Sequence, residues 1–312
     1  MLTTFLKVAS IFCMVAIGFL ANKKKVLPME ANQYMVSLLL TITNPCMIIG
    51  SMASNTLSEE TLRQTMEVII GSLGYFVIGA FVALGLTKLM RCPKDDQGVL
   101  MVIITAVNTG FMGFPVTKSI FGDDMFFLMV IQNQILTVYL YFISVIQMNY
   151  GHKKSGSLKD IIKPLCNMCT LAAIIGFIIF FGGIQLPEIV TDFFNTIGDA
   201  TIPISMIVVG IQLGNSNLKK IIKNGRLILA SILNVTVMPF LTFLAVNWLP
   251  LTNPGKLILV FAAAFPCAVV TVAVATKEGR NADLMAEGVA LTTLLSMITL
   301  PITAILLMHL YC

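Results

Sequence analysis

The chain has 312 residues, of which 57% are hydrophobic and only 11% charged, with a formal net charge of +5. A folded soluble surface needs more charge than that, so a soluble globular domain is excluded. The positive balance is not a nucleic-acid signature, because the lysines and arginines gather in short loops between long apolar runs. Such runs, each near the ~20 residues a helix needs to cross the hydrocarbon core, mean a polytopic helical membrane protein.

In chain order the apolar segments fall at 3–22, 31–53, 64–88, 98–121, 125–148, 164–184, 188–213, 227–249, 256–276 and 284–310. The first resembles a signal peptide in length, but Lys23, Lys24 and Lys25 follow it where a signal peptide has its positive charge in front. It reads as a retained first span. Span two carries Thr43-Asn44-Pro45, and span three has Glu67 near one end. Span four is interrupted by Asn108-Thr109-Gly110-Phe111-Met112-Gly113-Phe114-Pro115. Two glycines and a proline within six residues oppose a continuous helix, since Gly adds backbone freedom and Pro removes a donor. Asn108 adds a neutral side chain that can both donate and accept.

Span five has its apolar run broken by Gln132, Asn133 and Gln134; only one or two of these can face a cavity, and Gln132 is the favoured one. The pair Cys166-Asn-Met-Cys169 has redox or zinc spacing, but inside a span with no second pair nearby it reads as small packing residues. Asp199 stands inside span seven, four residues before Pro203. A carboxylate at that depth is costly, so it is a candidate for proton or cation coupling, burial disfavouring its charged form. Its structural reading is a hydrogen-bonded Asp beside unwound backbone. Glu67 and Lys118 are expected near the outer ends of spans three and four, as a structural ion pair or, on the functional reading, as further coupling groups.

Sixteen of the 20 lysines and arginines lie in one alternating set of loops. By the positive-inside rule that set is cytoplasmic, which puts both termini outside a cell membrane. The ten spans divide into fives at the basic loop 149–163, giving repeats over 1–148 and 164–312. An odd number of helices per repeat makes the halves inverted. Thr43-Asn44-Pro45 matches Thr201-Ile202-Pro203, and Asn108-Thr109 faces Phe265-Pro266 at nearly the same offset. Paired interruptions in inverted halves are a pointer to a transporter's binding site. Half-helix N-termini meeting there would favour an anion without a buried lysine. The fold expected is therefore all-α, ten transmembrane helices in two inverted five-helix repeats, with helices four and nine broken where they cross.

Asn108-Thr109-x-x-Met112-Gly113-x-Pro115 resembles the span-four crossover of auxin efflux carriers of the PIN type. Ala264-Phe265-Pro266, Ala275-Thr276-Lys277-Glu278-Gly279, the run from Thr292 to Pro301, and Asn44-Pro45 are similar to bacterial-type members over nearly the whole chain. The resemblance implies a scaffold of helices 1, 2, 6 and 7 and a mobile transport part of helices 3–5 and 8–10. It implies a carboxylate hydrogen-bonded by Asn108, with Pro115 and Pro266 shaping the crossing, and a homodimer formed through the scaffold. The substrate set becomes Asn108, Thr109, Gly110, Pro115, Pro266, Cys267, Gln132 and Asn44, for a small organic anion such as malate, malonate or an auxin-like acid. The chain lacks the long central loop of plant carriers and their acidic–lysine pair beside the site. No cofactor is implied, and the lipid bilayer and a coupling proton or Na+ are the other partners.

The nearest alternative is a sodium-coupled symporter of the bile-acid type. Sodium needs several oxygen ligands, and span nine offers only Thr271 and backbone carbonyls. An intramembrane enzyme is disfavoured: an aspartyl protease needs a second deep aspartate, and there is no HExxH motif.

Overall fold

The computed structural model describes residues 2–152, 167–216 and 224–311, with side chains from residue 9 onward. Cys166 and Lys153, Lys154, Lys159, Lys163, Lys219, Lys220 and Lys223 of the basic loops lie outside the described residues. Every regular element among those described is a helix. The helices are α1 (Leu2–Lys23), α2 (Met29–Leu38), α3 (Asn44–Ser54), α4 (Glu59–Leu89), α5 (Lys94–Thr105), α6 (Phe114–Phe121), α7 (Asp123–Tyr141) and α8 (Ile143–Met148). They continue with α9 (Met168–Phe181), α10 (Glu188–Asp199), α11 (Thr201–Asn215), α12 (Gly225–Ile232), α13 (Met238–Trp248), α14 (Asn253–Ala263), α15 (Val270–Lys277) and α16 (Ala282–Tyr311).

Seven helical stretches among the described residues are long and apolar enough to cross a membrane: Met29–Ser54, Glu59–Leu89, Lys94–Phe121, Asp123–Met148, Glu188–Asn215, Gly225–Trp248 and Ala282–Tyr311. Shorter apolar helices stand at Ala9–Lys23, Met168–Phe181 and Asn253–Ala263, where spans one, six and nine are expected.

Proline sets the joints. Three wide π-turns, Leu39–Thr43, Thr109–Gly113 and Leu233–Val237, each end two residues before a proline, Pro45, Pro115 and Pro239. Proline has no N–H to give the carbonyl four residues back, and its ring crowds that carbonyl. Opening the turn to an i→i+5 bond relieves the crowding. Asn44 N accordingly bonds Leu39 O, and Met238 N bonds Leu233 O. Pro203 acts similarly on span seven, where α10 stops at Asp199, the residue four back, and α11 begins after Ala200.

The chain forms two compact units. The first comprises Met1–Met66, Gly110–Gln134 and Cys166–Asn215. Here α1 packs on α11, α3 packs on α9 and α10, and α6 touches both α1 and α11. The α1–α11 contact is backbone on backbone: a Cβ on Gly210 would overlap Val15 O and lie 2.7 Å from Phe19 N. Gly198 likewise brings α10 within reach of α3, since its Cβ would sit 2.7 Å from Met47 Cα. The second unit comprises Glu67–Thr109, Ile135–Leu165 and Ser216–Cys312. In it α5 packs on α8, α12 and α16, while α16 also covers α14 and α15.

A side chain at Gly210 has only main-chain atoms to push against. Gly210→Leu is therefore expected to lower stability by about 1–3 kcal/mol or more, read as a lower unfolding midpoint in detergent. Gly74→Ala, in a helix position with nothing within 4 Å, should leave the midpoint unchanged or raise it.

Candidate functional site

In the second unit span four opens one turn before its glycines. The last regular bond of α5 is Ala106 N to Val102 O, 2.8 Å, after which residues 106–108 are not helical. Opening a helix in apolar surroundings strands carbonyls that must find partners. Asn234 Nδ2 donates to both Ile104 O and Ala106 O, each at 3.1 Å, and the Tyr75 hydroxyl donates to Thr105 O at 3.3 Å. Asn234 is wholly buried in the π-turn Leu233–Val237. The Thr105 hydroxyl meets the Tyr139 hydroxyl at 2.5 Å, and Tyr139 donates onward to Gln147 Oε1 at 2.8 Å. Tyr139 is held flat against Phe76, with ring centroids 4.3 Å apart. Asn108 and Thr109 follow directly and are buried.

Span nine opens as expected at Phe265-Pro266. α14 closes with Ala264 N on Phe261 O, and residues 264–269 separate it from α15. Pro266 and Cys267 are buried in that gap. Cys267 N finds a partner in the Thr292 hydroxyl of α16, 3.1 Å away. Cys267 Sγ lies 3.6 Å from Thr271 Oγ1 and 4.0 Å from Val102 O, so the gap in span nine abuts the helix that leads into the gap in span four.

The eight substrate candidates divide between the units: Asn108, Thr109, Pro266 and Cys267 belong to the second, Gly110, Pro115, Gln132 and Asn44 to the first. Gly110 is half-buried, and a Cβ there would stand 3.2 Å from Asn133 Oδ1. Of the three span-five amides, Asn133 is the one placed against Gly110 of the π-turn. Gln132 and Asn44 are buried, and their carbonyl oxygens Oε1 and Oδ1 have no hydrogen-bond partner.

The charges in the spans find partners that differ from those expected. Lys118 Nζ pairs with Asp199 Oδ1 at 2.6 Å and lies 3.7 Å from Asp123 Oδ1. It also sits 5.6 Å from the centre of the Phe126 ring. The Asp199 side chain is 57% exposed, not the buried carboxylate inferred from its depth in the apolar run, because α10 ends there and turns it into a cavity. That cavity, of about 300 Å³, lies within the first unit and is lined by Ser51, Asn55, Lys118, Asp123, Asn195 and Asp199 among others. Glu67, expected beside Lys118, instead has Oε2 accepting from Thr252 N at 2.9 Å and Thr252 Oγ1 at 2.6 Å. Thr252 is the N-cap of α14, so this carboxylate sits on the positive end of a helix dipole.

Residues 3–304 match the family described as membrane transport protein. The chain belongs to that family. The transporter is also 23% identical over 307 residues to an uncharacterized transporter of Methanocaldococcus jannaschii, covering 96% of this chain and 97% of the relative. It is 21% identical over 301 residues to an uncharacterized transporter of Methanothermobacter thermautotrophicus, again covering 96% and 97%. The family is the auxin-efflux-carrier type that Asn108 to Pro115 resembles, and its members transport; they are not enzymes. With its apolar helices the transporter is a multi-pass membrane protein.

Sequence reasoning misses Asn234, although an amide in the apolar run of span eight ahead of Pro239 is a signal for it. Asn234→Leu removes the donor from two buried carbonyls, and a loss of about 1–3 kcal/mol per stranded group is expected in detergent unfolding. Asn234→Asp, which keeps the shape but accepts where the amide donates, should do no better.

Proposed function

We propose that this transporter is a secondary active carrier of a small organic anion, a mono- or dicarboxylate such as malate, malonate or an auxin-like acid, working by alternating access. The observation that carries the reading is the pair of unwound segments, 106–108 and 264–269, in the buried middle of two apolar spans. Non-helical backbone at such depth is tolerated where it is buried in protein or lines a wet cavity, and transporters use it for binding. Carboxylate recognition is assigned to the Asn108 amide and the Thr109 hydroxyl, with Pro266 and Cys267 facing them across the gaps. Gly110 and Pro115 shape the turn that follows. A neutral site is consistent with Lys118 being taken up by Asp199.

The architecture that goes with this reading is ten spans as two inverted repeats, 1–148 and 164–312, with helices 1, 2, 6 and 7 as scaffold. Helices 3–5 and 8–10 form the moving part, both termini face outward from the cell membrane, and two copies associate through the scaffold. Seven long and three shorter apolar helices among the described residues support the span count. A sodium-coupled symporter of the bile-acid type finds less support at the gaps. The one side-chain hydroxyl that α15 offers at the gap in span nine is that of Thr271, and one hydroxyl falls short of the several oxygen ligands that sodium needs.

In proteoliposomes loaded and diluted across a panel of mono- and dicarboxylates, saturable uptake is expected for at least one acid. Asn108→Ala should abolish that uptake, by tenfold or more on the scale of a lost charge-assisted hydrogen bond or two, at unchanged expression. Wild-type uptake by that variant removes Asn108 from the site. An alkaline phosphatase fused after Cys312 should be active in intact cells; an inactive, well-expressed fusion reverses the topology.

A further inference from the structure

We propose that the cavity in the first unit binds a monovalent alkali cation, sodium foremost, at Asp199, with the Lys118 ammonium as its tethered competitor. Three features of the cavity lead there. Its polar lining, lysine aside, is built of carboxylate, hydroxyl and amide groups, whose oxygens are donors that suit hard cations. Three carboxylates line it, Asp123, Asp124 and Asp199, and Asp199 is the one that already holds a positive charge, Lys118 Nζ at 2.6 Å.

The second feature is Ser51. The residue is only 7% exposed, lines the cavity, and its hydroxyl has no hydrogen-bond partner. A serine in a helix ordinarily bonds a carbonyl one turn back, as Ser144 does with Leu140 O. Ser51 forgoes that bond, while its own carbonyl is occupied by Asn55 Nδ2 at 2.8 Å. An oxygen so placed is a ready ligand.

The third is the lysine itself. Its Nζ, 2.6 Å from Asp199 Oδ1, already places one positive charge at the carboxylate, so exchange for Na+ leaves the charge there unaltered. In the same position Nζ lies 5.6 Å from the centre of the Phe126 ring and 3.7 Å from Asp123 Oδ1, the second carboxylate that can keep the ammonium once Na+ takes Asp199. Lys118 lies near the end of α6 and Asp199 at the break between α10 and α11, so the exchange would unfasten one from the other. As a coupling step this rests on the transport reading; as a binding site it does not.

The test is 22Na+ binding to the purified transporter, at ionic strength held constant with choline. Saturable binding is expected for the wild type. Asp199→Asn should abolish it, and Ser51→Ala, the milder variant, should weaken it by about fivefold, one oxygen contact. Lys118→Gln should strengthen it by about fivefold, the worth of a partly exposed ion pair. That gain is an outcome no structural role for the lysine predicts. Absence of saturable binding, displacement by Ca2+ well before unlabelled Na+, or unaltered affinity in Lys118→Gln and Ser51→Ala each overturns the proposal. Because the readout is cation binding, it holds or fails whether or not the protein carries an organic anion.

Discussion

A peptide group in an apolar medium must be hydrogen-bonded, and the architecture around the span-four gap answers to that constraint. Residues 106–108 can leave the helix because three consecutive carbonyls, those of Ile104, Thr105 and Ala106, are received by Asn234 and Tyr75. The receivers are themselves fixed. Asn234 sits in a wide turn that Pro239 imposes, and Tyr75 shares its helix with Phe76, which backs Tyr139. The Thr105, Tyr139 and Gln147 side chains extend the polar chain into α8. A gap held this way is a rigid feature of the fold, which is what a recognition site for a small solute requires.

Ionisable side chains in the spans follow the same rule. Glu67 is stabilised by the hydroxyl and amide of Thr252 at a helix start, where exposed N–H groups favour a negative charge. Asp199 has a lysine, and the two meet beside a cavity. Between α15 and α16 of the second unit two charges are bridged by Asn149: Arg280 donates to Asn149 Oδ1 at 2.7 Å while Asn149 Nδ2 donates to Glu278 Oε2 at 2.8 Å. Each of these charges is held by a specific partner.

Much of this was legible in the chain. An all-helical membrane protein follows from apolar run length, and the presence of an interruption in spans four and nine, though not its position in span four, follows from Gly110, Gly113, Pro115 and Pro266, residues whose backbone chemistry is local. What stayed hidden was chosen by proximity in space. No local rule says that an amide 128 residues beyond Ala106 will be its carbonyl's partner. Nor does hydropathy show that Lys118 will turn to Asp199, 81 residues away, and leave Glu67 to Thr252. Even locally, the helix opened at 106–108, ahead of the glycines, which were taken up in a wide turn. Which of Gln132 and Asn133 lies against Gly110 is likewise beyond sequence: neighbours on a helix differ by about 100° in direction, and only packing fixes the zero of that angle.

The three wide turns also alter angular phase. Each inserts about one residue relative to regular α-helix, so every side chain beyond Thr43 or Val237 is rotated by roughly 100° from where a helical wheel drawn straight through would put it, while in span four the open stretch 106–108 breaks the wheel before the turn begins. Lipid-facing and protein-facing stripes therefore change azimuth at each proline joint, and a single-residue deletion within any of these turns would swing the remainder of that span onto a different set of neighbours.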